Sequence, residues 1–487
     1  MSSAFPNDQR TQEAGVPLPP TEPVQNSRLA FTILATVQVT LIFTIALIMV
    51  PLPKIADEFA VGSAALLLLQ VSYGLPFSGL LLCGGRLADR YRGRRMFVVG
   101  LGMFGAASVM AALAPSFGML VGMRALEGVG GALTAPAAIA VLRKLFPEPA
   151  KFGTAMATWG GVSVLGAVLG FVVSGILANW VSWRWMFAVP VLVALLGLAV
   201  ARGLLPNCLD DVVATRPGMD PLGALFATPG IALASFGLIA SGEHAWTSIA
   251  VYGPLAAGLM LLAAFLLVEH QARDPLLPLG FLLDSCRLAG LLGMFLAAAG
   301  SVLIEFVLLL FFQQLRGWTP LSTALAFLPF AIALIVANYV APSRVARHGA
   351  INTLIAGFVV AAIGLGWLAG ISHDTSYNLG LVPGMVLLAI GISLVFAGAA
   401  VLSMTNVPLH QAGLAGGVMN TGMELGPTVG LTALMSVAAL RTDVVDGYAW
   451  AFGTAAATFA LAAILALLLA KRPAAGDVKG CQPVQVQ

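Results

Sequence analysis

Long apolar runs separated by short polar connectors make up most of this chain. They fall at roughly 29–52, 63–83, 96–115, 117–142, 153–178, 185–205, 222–241, 249–268, 288–312, 321–341, 351–371, 379–403, 413–438 and 448–470. A tilted helix needs roughly 20 apolar residues to cross a bilayer, whereas a crossing strand needs only about 10. The run lengths therefore predict helices, in an all-α integral membrane protein with fourteen crossings and both termini on one side. Residues 1–27 and 472–487 are polar, and the first stretch is rich in Pro and Gln. It lacks the basic-then-apolar order of a cleaved signal peptide, so both ends read as disordered tails.

Composition agrees with the pattern. The chain has 487 residues, of which 59% are hydrophobic and 9% charged, and its mean hydropathy is +0.96. The densest charge lies in residues 84–97, GGRLADRYRGRRMF, between the second and third runs. Such a loop cannot enter hydrocarbon, and its arginines mark a cytoplasmic face. With the N-terminus inside, the inner connectors carry Arg28, the Arg86–Arg95 cluster, Arg143, Lys144, Lys151, Arg202, Arg216, Arg273, Arg287, Arg344, Arg347, Lys471 and Arg472. The outer ones carry Lys54, Arg184, Arg316 and Arg441. The asymmetry predicts cytoplasmic termini. A net charge of +3 gives no reason to expect a nucleic-acid partner. Cys83, Cys208, Cys286 and Cys481 form no CxxC pair and fall near the cytoplasmic side, which predicts free thiols.

A faint repeat runs through the chain. Gly153, Gly166 and Gly170 recur as Gly413, Gly426 and Gly430, shifted by 260 residues. Arg90 and Gly100 recur as Arg347 and Gly357, shifted by 257. This predicts two parallel six-helix halves, 28–205 and 287–471, with two extra helices in a linker over 206–286. Chance spacing in Gly-rich helices is the competing explanation.

Several motifs carry a family likeness. GRLADRYRGRR at 85–95 resembles the GxLaDrxGrr loop of the major facilitator superfamily, except that the second glycine comes one position late, after Arg92. LVGMRALEGVGGAL resembles the fourth-helix RxxQGxG pattern, with Glu127 where Gln is usual, and WRWMF at 183–187 is similar to the opening of the sixth helix. FFQQLRGWTPLSTALAFLP at 311–329 resembles the fourteen-helix drug:proton antiporter branch. The likeness implies the major facilitator fold, two six-helix bundles plus two inserted helices. Two departures stand out. The fifth-helix antiporter signature is Gly166, Gly170, Phe171, Ser174 and Gly175, with Phe171 in place of proline. The first-helix acid is missing from Leu41-Ile42-Phe43-Thr44-Ile45.

Four ionisable groups fall well inside the runs: Arg124, Glu127, Glu305 and Glu424. Each costs about 2.5–3.5 kcal/mol or more at a helix centre, so each is expected to face a partner or a cavity. Arg124 and Glu127 share a helix face at i,i+3. They read either as a structural pair or as a proton acceptor and its tuning cation, a role to which the likeness adds weight. Glu424 sits beside Gly426 and Pro427, which suits a gate. Glu305 is placed to replace the missing first-helix acid, or to reach the outer interface. Gly85, Asp89, Arg90, Arg94 and Arg95 are expected to form a conformational latch, with Asp89 at a neighbouring helix N-terminus. Gln38, Thr44, Gln70, Tyr73, Trp159, Asn338, Tyr339 and Asn420 are candidates for a substrate cavity, each with helix–helix packing as the alternative.

All five histidines sit in loops or at run ends, and no HExxH or GxxxxGK[ST] pattern occurs. No cofactor, metal or enzymatic reaction is expected. The reading is a multi-pass secondary transporter in a bacterial inner membrane, monomeric, exporting amphiphilic or cationic drugs or natural products against protons. Transport of a polar metabolite or siderophore is the alternative.

Overall fold

The computed structural model describes residues 27–48, 51–177, 180–205, 221–241, 244–271, 277, 284–408 and 411–471. Both tails, Cys208 and Cys481 lie outside these residues. The described chain is helical throughout. The first half comprises α1 (Ser27–Leu47), α2 (Leu52–Phe59), α3 (Ser63–Arg90), α4 (Gly93–Ala112), α5 (Phe117–Leu145), α6 (Pro149–Leu177) and, after a 3₁₀ turn at Trp183–Phe187, α7 (Ala188–Leu204). Two further helices follow, α8 (Pro221–Ala240) and α9 (Ile249–Gln271). The second half comprises α10 (Ser285–Leu310), α11 (Pro320–Ala326), α12 (Leu328–His348), α13 (Ala350–Leu368), α14 (Val382–Ser403), α15 (Ala412–Leu425), α16 (Leu431–Ala438) and α17 (Val444–Lys471). Among the described residues, eleven helices are long and apolar enough to cross a membrane. The remaining expected runs are helical too: α3, α6, and α15 continued through a π segment at Gly426–Gly430 into α16.

Local chemistry moves some boundaries from the expected ones. The run at 29–52 stops at Leu47, and Pro51 and Pro53 open the separate short α2, which ends at Ala60 in the left-handed region (φ 50°). The run at 321–341 divides at Phe327 into α11 and α12, where Pro329 starts the new helix. Cys83 is a free thiol, but Cys286 is disulfide-bonded, against the expectation of free cysteines. Spacing along the sequence cannot reveal which loops meet in space.

Glycines set how closely the helices approach, and they do so alike in both halves. A Cβ on Gly100 of α4 would lie 2.8 Å from the Gly130 carbonyl of α5; one on Gly357 of α13 would lie 2.9 Å from the Gly391 carbonyl of α14. Gly166 of α6 abuts Val39 and Ile42 of α1, and Gly426 abuts Phe295 and Ala298 of α10. Arg92 and Gly349, 257 residues apart, are both left-handed, with φ 69° and 82°. The α8–α9 hairpin is joined through Gly258 against Ala234, and α8 rests on α3 where Thr228 meets Gly79 and Cys83.

The halves meet along two seams. On one, α3 packs against α15, with Gly85 against Gly413 and Leu81 against Gly417. On the other, α6 packs against α12 and α14, with Gly161 against Asn338 and Gly160 against Phe396.

Candidate functional site

The first half encloses a buried ionic cluster. Arg124 and Glu127, one turn apart on α5, are 1% and 0% exposed, and Arg124 Nη1 donates to Glu127 Oε2 at 2.9 Å. Arg124 Nη2 donates to the Thr44 carbonyl of α1 at 3.1 Å, and its guanidinium lies 4.9 Å from the ring centre of Tyr73 on α3. The Tyr73 hydroxyl donates to the Leu41 carbonyl at 3.0 Å. Ser108 of α4 donates to Glu127 Oε1 at 2.5 Å. Four helices thus hold one carboxylate and one guanidinium away from water. In low dielectric each charge depends on the other, and desolvation favours the neutral carboxylic acid as soon as the arginine moves off. This is chemistry suited to taking up and releasing a proton as helices shift.

Glu424 of α15 is half-buried and within electrostatic reach of the Tyr73 phenol, as are Arg124 and Glu127. The π segment begins two residues later, at Gly426 and Pro427. Glu305 stands apart near the far end of α10, where Ser301 Oγ donates to its Oε1 at 3.3 Å. The structure therefore brings Arg124 and Glu127 together beside Tyr73, with Glu424 within electrostatic reach of that phenol, and leaves Glu305 outside the group.

At the end of the bundle with the charged loop, Asp89 accepts the Gly413 N–H at 2.7 Å and the Leu414 N–H at 2.8 Å, at the N-terminus of α15. Gly85 supplies the close approach that permits this. Burial pushes the Asp89 carboxyl up to about 7, against the pull of those two amides and of Arg86 and Lys144. Arg90 lies over the Tyr91 ring at 5.7 Å; Arg94 is half-buried, and Arg95 is exposed.

The cavity candidates separate into distinct settings. Gln38 is 1% exposed and donates to Asn420 Oδ1 across the halves at 3.3 Å, while Asn420 donates to the Gly416 carbonyl. Thr44 is buried and bonds back to Thr40; Trp159 is fully buried. Asn338 donates to the Gly161 carbonyl at 2.9 Å. Tyr339 does not fit a cavity role: it is 87% exposed, on an outward stripe with Ile332, Ile335 and Val336. One position along a helix turns a side chain by about 100°, so Asn338 faces α6 while its neighbour faces lipid. The surroundings of the Gln70, Phe171 and Gly175 side-chain positions lie outside the described residues. Gly166 and Gly170 are buried, and Ser174 donates to the Leu47 carbonyl at 2.7 Å.

Three features were not singled out from sequence. Ser108 resembles any small helix residue until α4 meets α5. Glu269, at the end of α9, is buried and accepts the Leu277 N–H at 3.1 Å. Glu58 of α2 accepts the Trp183 indole N–H at 2.7 Å and pairs with Arg184 at 2.5 Å, and these two donors hold its carboxyl below the usual range. Arg184 also donates to the Ala114 carbonyl, so one cluster staples α2, the 3₁₀ turn and the loop after α4. Among the described residues, no group of His, Cys, Asp or Glu is arranged to hold a metal ion.

Comparison with known proteins bears on this arrangement. The family profile described as Major Facilitator Superfamily matches residues 32–431 and 290–480. The puromycin resistance protein pur8 of Streptomyces alboniger is 32% identical over 455 residues, covering 89% of this chain and 90% of that protein. The cephamycin export protein CmcT of Amycolatopsis lactamdurans is 32% identical over 432 residues, covering 87% of each. The crystal structure of the human organic anion transporter MFSD10 superposes with a TM-score of 0.63 at 15% identity, covering 90% of this chain and 99% of that one, a likeness of fold.

Proposed function

The chain belongs to the Major Facilitator Superfamily, and from that membership we propose that it exports amphiphilic or cationic drugs or natural products by proton antiport. The observation that carries the proposal is the sealed Arg124–Glu127 pair, an ionisable couple held at 1% and 0% exposure by four helices. A carboxylate buried this deeply has no ordinary structural advantage over an apolar side chain, since burial of an ion pair is close to neutral at best. Relatives named for puromycin resistance and cephamycin export, matched over most of their length, support a drug-like cargo.

In this reading the two halves, 28–205 and 287–471, tilt about the midplane, with fourteen crossings and both tails in the cytoplasm. The protein works as a monomer in a bacterial inner membrane. Asp89 and its neighbours close the cytoplasmic side. Glu127 and Glu424 exchange protons around Tyr73, and Glu305 assists from the far end of α10. The polar-metabolite or siderophore alternative draws on Phe171, which stands where the antiporter signature has proline.

The test is direct. Vesicles preloaded with a lipophilic cation are given a pH gradient. Export that a protonophore stops supports the proposal; retention of the cation under the same gradient rejects it.

A further inference from the structure

The two seams between the halves are related by the internal repeat, yet they are not fastened alike. At the 257-residue offset, Asp89 of the first seam falls on Ala346, so that position of the second seam carries no carboxylate. At the same offset Leu81, which abuts Gly417 in the first seam, falls on Asn338. Asn338 is the residue that fills the second seam. Its amide N–H donates to the Gly161 carbonyl at 2.9 Å, and its side chain occupies the notch left by Gly161. All three atoms nearest a Cβ placed on Gly161 belong to Asn338: Oδ1 at 2.3 Å, Cγ at 2.6 Å and its Cβ at 3.2 Å.

The amide orientation is fixed by its partner. A backbone carbonyl can only accept, so the –NH₂ must face Gly161, and among the described residues Asn338 Oδ1 is left buried without a hydrogen-bond partner. An orphan acceptor of this kind is normally costly, which limits how firmly the closed arrangement is held.

We propose that Asn338 and Gly161 form a second lock between the halves, on the opposite seam from Asp89, fastened tightly enough to close the bundle and left half-satisfied so that it can release. This rests on the reading that the halves move during transport. Its test measures opening rather than cargo, so its failure and the failure of the transport reading are distinguishable.

The experiment is hydrogen–deuterium exchange of the full chain in lipid nanodiscs, read at the Gly413 and Leu414 amides, which sit on the other seam and are held by Asp89. A purely local disturbance of α6 would not reach them. Gly161→Ala is expected to drive Asn338 out of its notch and raise exchange at 413 and 414 about tenfold. Asn338→Leu, which keeps roughly the shape of the amide but cannot donate to the Gly161 carbonyl, is expected to do the same even if Gly161→Ala folds poorly. Adding Asn338→Ala to Gly161→Ala removes the two atoms the new methyl strikes hardest, Oδ1 and Cγ, and leaves the Asn338 Cβ at 3.2 Å, which needs a shift of only a few tenths of an ångström, so the double variant should exchange little faster than Asn338→Ala alone. Gly160→Ala strikes the Phe396 backbone carbonyl at 2.4 Å instead, so Asn338→Ala should not rescue it. Unchanged exchange at 413 and 414 in both Gly161→Ala and Asn338→Leu would overturn the proposal. So would an additive response in the Gly161→Ala, Asn338→Ala double variant.

Discussion

Arg92 illustrates what a single residue can disclose. The family loop places a glycine at this position, and here the backbone is left-handed (φ 69°) with arginine in place. A non-glycine residue in that region costs about 1–2 kcal/mol. Arg92→Gly should therefore raise stability by about 0.5–1 kcal/mol, after the added freedom of the unfolded chain is set against it, measured by thermal unfolding in detergent. The buried pair has a larger effect. Arg124→Ala leaves Glu127 without its counter-charge and should cost about 3–5 kcal/mol in the same assay. Glu127→Gln likewise leaves Arg124 without its counter-charge and should also destabilise, by less because the amide oxygen still accepts from Ser108, and it should lose proton-coupled transport.

Asp89 supplies a pH dependence at the same scale. Its carboxyl is raised from 3.8 to about 7 by burial, so Asp89 binds its proton more tightly in the latched fold than the same carboxyl does when exposed to water. Protonation therefore favours the latched form. The stabilisation is complete below about pH 3.8 and is lost as pH rises through about 7. Exchange at Gly413 and Leu414, corrected for its intrinsic pH dependence, should accelerate between about pH 6 and pH 8. Asp89→Asn should flatten that response.

At the scale of elements, hydrophobic run length located the long helices because a membrane leaves the backbone no other way to satisfy its hydrogen bonds. The charged loop at 85–95 and the i,i+3 pair Arg124–Glu127 were legible for a related reason, since charges in such a sequence stand out. Apart from Asp89 at a neighbouring helix N-terminus, contacts between elements were not legible. Ser108, the stacking of Arg124 on Tyr73 and the Asn338 notch depend on helix rotation, which near-uniform apolar sequence does not encode. Tyr339 was misjudged on those grounds. The short α2 and α11 were hidden because proline splits a run without changing its hydrophobicity. One element-level prediction follows from the close contacts: a Cβ on Gly128 of α5 would lie 2.3 Å from the Tyr73 carbonyl of α3. Gly128→Ala should force these helices apart and cost about 1–3 kcal/mol, seen as a lower unfolding temperature.

At the scale of the molecule, the repeat becomes mechanical. Equivalent glycines bring equivalent helices together in both halves, while the seams between halves carry different fastenings, a carboxylate on one and an amide on the other. An ionic cluster lies in the first half, and a second carboxylate, Glu424, approaches it from across the interface. On the function proposed above, protonation inside the membrane biases which side of the bundle is open.

The most direct measurement of that claim uses purified protein in vesicles, with a lipophilic cation as cargo and an imposed pH gradient. The wild-type chain should drive export that a protonophore abolishes, and the Glu127→Gln, Glu305→Gln, Glu424→Gln variant should fold yet fail to couple export to the gradient. Export by that variant at the wild-type rate would contradict the account.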